Sequence, residues 1–285
     1  MNTFKTALLL TSLTLVLLFS GQLIGGERGI TIALGMAAVM NLFGYFMSDK
    51  IALAMSGAQP VSREQAPRLY AITERLCQRA GIPLPRLYLI PQAAPNAFAT
   101  GRSPRHSAVA VTAGLLELLN EDEVEGVIAH ELAHVRNYDI LTASVASMLA
   151  GAITYLAQMG HFAMLFGGGH RSRDDEGGGG NAFVALLMLI LAPLAATLIQ
   201  LFISRTREYA ADASAAQMVG HPHGLIHALE KLGYYNKRLP MDVSPASASM
   251  FIVAPLTGGG WTSMFSTHPA LEKRIAALRE LVIAR

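Results

Sequence analysis

Asn120-Glu-Asp-Glu-Val-Glu-Gly-Val-Ile-Ala-His-Glu-Leu-Ala-His134 is the stretch from which the rest of this 285-residue chain can be read. Asn120 is a strong helix N-cap, and Glu121, Asp122 and Glu123 fill a first turn where acids suit the helix dipole. The spacing predicts a helix that carries His130 and His134 four residues apart on one face. Two imidazoles so placed reach a single ion. Zinc takes neutral histidine nitrogen at about 2.0–2.1 Å, and a catalytic zinc keeps one position for water. Glu131, next to the first histidine, reaches that water as a general base. No Pro or Gly follows before Gly151, so the sequence predicts that the helix runs unbroken into the apolar stretch beyond it.

Upstream, residues 87–90 and 107–112 read as strands, the second from its Ala-Val-Ala-Val alternation. Ser62 and Gln65 have capping-box spacing and predict a helix to about Ala80, stopped by Gly81 and Pro83. Downstream, 205–218 reads as a helix and 269–283 as an amphipathic one. Residues 240–267, rich in Gly, Pro, Ser and Thr, read as loop.

Around this polar part lie four apolar stretches, at about 7–25, 30–47, 140–166 and 183–203. Each is near the ~20 residues that cross a bilayer. The first also resembles a signal peptide, with Lys5 ahead of a Leu-rich run. It lacks a clear cleavage site and is followed at once by a second apolar stretch, which favours a spanning hairpin turned by 25–29. The later pair holds no Asp, Glu, Lys or Arg and is joined by 167–181, a glycine-rich flexible linker. A buried helical hairpin is the other reading of that pair. Composition agrees with a membrane location: 52% of residues are hydrophobic and only 15% charged, against about 25% charged in soluble domains. Lys5, Lys50, Arg63, Arg68, Arg75, Arg205 and Arg207 flank the spans on one side, which puts both termini and the polar part in the cytoplasm.

The net charge of +2, without basic runs, gives no footprint for nucleic acid. Cys77 is the single cysteine, so an intrachain disulfide and a thiolate metal cage are both excluded, and a buried free thiol in a reducing compartment is expected.

Zinc needs a third protein ligand. Glu208, His221, His223, His227, Glu230 and His268 all qualify by chemistry. Glu208 is the favoured one, in Arg-Glu-Tyr-Ala-Ala-Asp on a helix that leaves the membrane. Its other reading is an exposed partner of Arg205. Asp212, one turn on, suits a carboxylate that orients a ligand histidine through its ring N–H. The three histidines at 221–227 flank a Pro-Gly helix start and read as surface residues.

Two N-terminal spans, Asn96-Ala-Phe-Ala-Thr-Gly, His130–His134, Glu208-x-x-x-Asp212, Gly224-Leu-Ile-His-Ala-Leu-Glu-Lys-Leu and Ser266-Thr-His-Pro occur in that order. In this the chain resembles, over nearly all its length, the HtpX-type membrane metallopeptidases, bacterial relatives of the CAAX prenyl endopeptidases. The resemblance implies a mainly α membrane protein, with about four transmembrane helices and a cytoplasmic α+β zincin-like catalytic domain. It divides the chain into a membrane hairpin at 1–50, catalytic regions at 51–139 and 204–285, and a second hairpin at 140–203. It makes Glu208 the third ligand to one Zn2+ per chain and Asp212 its outer support. His268 would lie near the zinc and stabilise the oxyanion, and Asn96 would lie at the substrate edge. Alternation at Val109 and Val111 suggests that this strand pairs with substrate backbone. The implied activity is a zinc endopeptidase of the bacterial inner membrane that degrades misfolded or damaged membrane proteins under stress. Its partners would be unfolded or membrane-protein substrates, the lipid bilayer and other quality-control proteases. A prenyl-protein processing protease is the second enzymatic reading, although those relatives carry more spans. An inactive scaffold would have no use for Glu131.

Overall fold

Asn120 caps its helix as the sequence requires. Its side chain accepts the Glu123 N–H at 3.0 Å, while Glu123 Oε2 accepts the Asn120 N–H at 2.9 Å, the reciprocal pair of a capping box. The computed structural model describes residues 2–145, 205–236, 238, 250–253 and 269–282. In chain order its elements are α1 (Asn2–Met55), β1 (Gln59–Pro60), α2 (Pro67–Ala80), β2 (Arg86–Ile90), β3 (Ala97–Ser103), β4 (His106–Thr112) and α3 (Ala113–Leu118). After them come α4 (Glu121–Arg136), α5 (Arg205–Val219), α6 (His223–Asn236) and α7 (Leu271–Arg279). A further helical segment covers 139–145.

Helix α4 is the central strut. Val124, Val127, Ile128, Ala129, Leu132, Ala133 and Val135 are all buried, and so are Glu123, His130 and Glu131, so the helix is enclosed on several sides. Helices α2, α5 and α6 and strand β3 enclose it. Its contact with α6 is backbone on backbone. A Cβ on Gly126 would come within 2.5 Å of Leu225 N, and one on Gly224 within 2.2 Å of Asp122 O. Glycine at both places lets the helices close and sets the depth at which α4 lies.

The sheet has the order β1-β2-β4-β3 and is mixed. β2 and β4 run parallel, while β3 is antiparallel to β4 and β1 to β2. Alternation along β4 sorts its side chains. Val109 and Val111 face the core shared with α2 and α4, and Ala108 and Ala110 face Phe98, Phe251 and the end of α1. β4 is bonded on both flanks, and the two edges of the sheet are β1 and β3.

Helix α1 is two arms. Gly25 (φ −139°) and Gly26 (φ +54°) break it, the positive φ being open to glycine without strain. The turn expected over 25–29 is confined to these two residues. The arms touch where Gly21 and Gly29 meet, and Asn41 Nδ2 donates to Thr14 Oγ1 at 2.9 Å. Leu15, Phe19, Ile32, Met36, Val39 and Phe43 remain exposed, an apolar surface far larger than a soluble monomer tolerates. Among the described residues one helix, Gly25–Met55, is long and apolar enough to cross a membrane. Its lower end is fastened to the sheet domain by Arg86 to Asp49 at 2.7 Å and by the Arg102 guanidinium over the Phe46 ring. The apolar stretch at 183–203, and 140–166 beyond residue 145, lie outside the described residues.

Three sequence expectations change. Ser62 N does donate to Gln65 Oε1 at 2.8 Å, but this closes a turn, and α2 starts later with Pro67 in its first turn. The tail helix is shorter than 269–283. The main correction concerns α4, which does not run on unbroken: it ends at Arg136, and Tyr138 takes φ +60° before helix resumes.

Candidate active site

His130 and His134 project from one face of α4, with their rings at 89° to each other. Their Nε2 atoms are 3.2 Å apart. Glu208 comes from the first turn of α5, and its two carboxylate oxygens each lie 3.6 Å from one of these nitrogens. Ligands about 2.05 Å from a tetrahedral zinc stand about 3.3 Å from one another. The three spacings match that edge to a few tenths of an ångström, so the donor set fits the ion. Glu208 is 4% exposed, which removes its reading as a surface partner of Arg205. His221, His223 and His227 are exposed on and before α6, away from the site.

Each histidine is held from behind through its other nitrogen. Asp212, one turn beyond Glu208, has Oδ1 2.9 Å from His130 Nδ1. Asp139 Oδ2 lies 3.0 Å from His134 Nδ1. Arg274 of α7 then clamps Asp212, donating Nε–H to Oδ2 at 2.9 Å and an Nη2 hydrogen to Oδ1 at 2.7 Å. Its Nη1 donates to Ile252 O at 3.0 Å and stands 3.5 Å from Glu208 Oε2. Arg274 is fully buried. Sequence reading missed both Arg274 and Asp139. An arginine on an amphipathic tail helix reads as surface, and an acid five residues past a ligand has no helical reason to face it.

Electrostatics follow from this geometry. Burial and the Arg274 charge both oppose protonation of His130, yet its hydrogen bonds to Asp212 and Glu208 outweigh them and push its pKa up to about 9. Burial raises Glu131 above the usual carboxylate range, against the pull of His130 and His134. Asp212 is depressed: burial would raise it, but the Arg274 charge and hydrogen bonds prevail. Arg274 is held firmly charged, because Asp212 and Glu208 overcome its desolvation. Cys77 is a buried free thiol pushed up to about 11 by burial, which makes it inert.

The cleft over the ligands is lined by Ala99, Glu131, Met250 and Phe251 among others. Strand β3 forms one wall, and an Ala99 backbone hydrogen bond reaches Glu131. Val109 and Val111 do not offer a substrate edge, since β4 is paired with β2 and β3 on its two sides. The sheet edge beside the cleft is β3, and among the described residues it is partly taken: Ile252 N donates to Ala97 O at 2.9 Å. Asn96 is buried and does not open on the cleft. Its Nδ2 donates to Val253 O at 2.9 Å, pinning this segment. His268 lies outside the described residues.

An H-E-x-x-H helix completed by a buried glutamate from a later helix, beside a sheet edge, defines a metal-dependent peptidase. Residues 63–282 match the model of Peptidase family M48, and the chain belongs to that family of zinc metalloproteases. It is 55% identical to a protease HtpX homolog of Desulfatibacillum aliphaticivorans, over 97% of this chain and 89% of that one. With the protease HtpX homolog of Thermodesulfovibrio yellowstonii it shares 53% identity over 99% of both chains. Among solved structures it resembles the crystal structure of S. mikatae Ste24p, with a TM-score of 0.51 and 21% identity. That match covers 94% of this chain and 62% of the longer Ste24p chain, and shows a shared fold.

Proposed function

We propose that this protease cleaves misfolded or damaged membrane proteins at the cytoplasmic face of a bacterial inner membrane, as part of protein quality control. The observation that carries this is the position of the cleft. The zinc ligands and the β3 edge sit on a domain fastened to the lower end of a bilayer-length helix by Arg86, Asp49 and Arg102. A backbone-reading edge beside the membrane favours extended, unfolded segments over a particular sequence. Four spans complete the reading, with 140–166 and 183–203 as the second pair. The protease HtpX homologs, 55% and 53% identical over 97–99% of this chain, support an HtpX-type reading over a prenyl-processing one.

In this reading His130, His134 and Glu208 would hold zinc, which would supply Lewis-acid activation of water and carbonyl. Glu131 would take a proton from the attacking water and return it to the leaving amine. Ala99 aligns the substrate backbone along β3, and His268 donates to the oxyanion. Arg274 and Asp212 keep His130 in one tautomer.

Detergent-purified protein with zinc is expected to cut casein and a destabilised multi-pass membrane protein while sparing its folded form. Equal cleavage of folded and destabilised forms would overturn the quality-control reading. Topology has its own test. Reporter fusions after Gly57 and after Arg285 should read cytoplasmic, and one within 167–181 external. An external C-terminus would defeat the four-span arrangement.

A further inference from the structure

Helix α4 stops at Arg136, and the next three residues decide how its second histidine is held. Asn137 closes the helix with φ −85° and ψ 1°. Tyr138 then takes φ +60°, alone among the described non-glycine residues in having a positive φ. Left-handed backbone is disfavoured for a bulky side chain. Tyr138 is 47% exposed, so only part of its surface is buried to offset that cost. Backbone strain of this kind persists where the surroundings enforce it, often at a working site.

What the turn achieves is the placement of Asp139. In an unbroken helix, a residue five on from His134 would lie about 140° round the axis from it. Here Asp139 is brought back onto α4, is 5% exposed, and has Oδ2 3.0 Å from His134 Nδ1. Its other oxygen lies 3.5 Å from Nη1 of Arg207, the neighbour of Glu208 on α5. The opposite side of the site has the same construction, with Arg274 on Asp212 and Asp212 on His130. We propose that Asp139 is a positioning residue for the zinc ligand His134. Its carboxylate keeps the proton on Nδ1 and so turns Nε2 to the metal, and Arg207 steadies the carboxylate from α5. The two ligand histidines are thus each backed by an Asp–Arg pair, one reached by helical spacing and one by a strained turn. This inference rests on the zinc site and not on the choice of substrate.

The test is zinc affinity of the full-length protein in detergent, measured by competition with a chromogenic chelator, together with the visible spectrum of the cobalt-substituted form. Asp139→Ala should weaken zinc about 10–100-fold, the usual effect of losing such a partner, and shift the cobalt bands. Asp139→Asn, which keeps an acceptor for Nδ1–H, should recover most of that affinity. Tyr138→Gly relaxes the turn and should leave both readouts as in the wild type. His134→Ala should abolish binding, which checks the ligand itself. Unchanged affinity and spectrum in both Asp139 variants would overturn the proposal. So would equal losses in both with a matching drop in the unfolding temperature of chelated protein, since Asp139 would then serve the fold through Arg207.

Discussion

Glu131→Gln should lower peptidase activity by about 10²–10⁴-fold, the contribution typical of a positioned proton-transfer group, while zinc content stays near one per chain. The side chain is not among the three donors that face one another, so metal binding does not require its charge. It is 2% exposed, and burial raises its carboxyl pKa, the direction that favours a group able to hold a proton between two transfers. The amide has nearly the same shape and still accepts the Ala99 contact, but cannot take a proton. Casein cleavage with zinc, read beside elemental analysis and a melting curve, separates the possibilities. Near-normal cleavage would assign the base to another residue. Loss of zinc would mean that Glu131 also holds the ion.

Arg274→Met is expected to be the most damaging single change outside the ligands. Methionine fills much of the same volume but leaves Asp212 buried without its bidentate partner. Removing one member of a buried pair costs about 3–5 kcal/mol, because the remaining charge is uncompensated. In a chain of this size that is a fall in unfolding temperature on the order of 10 °C. Zinc affinity should fall as well, since Asp212 would no longer be fixed against His130. Adding Asp212→Asn should restore part of the stability by removing the orphaned charge, and should not restore zinc affinity. A melting curve for the single variant that overlays the wild type would show that the Arg274–Asp212 contact contributes nothing.

Two of the metal donors were legible from a local rule, whereas Glu208 was favoured among six candidates and became the third ligand through the family resemblance. His130 and His134 share a helix face, Asn120 and Glu123 start that helix, and Glu208 and Asp212 are one turn apart. The strands at Leu87 and Val109 were both legible, the second from alternation. Alternation, however, says which face a side chain takes and nothing about which strand is the edge. Val109 and Val111 were read as a substrate edge for that reason, whereas the crossover from β2 to β4 leaves β3 outside. Strand β3 itself was not recognised, since Thr100 and Gly101 interrupt any apolar pattern in Ala97–Ser103. The end of α4 was missed because neither glycine nor proline marks it: a tyrosine takes the left-handed turn. Arg274 and Asp139 act across the fold, and no local pattern separates them from ordinary charged residues.

A simple addition over the described side chains around the ligands has a consequence for ion choice. Glu131, Glu208, Asp139 and Asp212 bring four negative charges, and Arg207 and Arg274 bring two positive, leaving −2. Among these described groups a dication offsets the balance, whereas a monovalent ion would leave −1 and a trivalent one +1. Charge balance thus acts beside the ligand set, whose imidazole and carboxylate donors themselves suit a dication. The same balance bears on chelation: removing the dication leaves an excess of negative charge among these groups, to be met by protons or other cations.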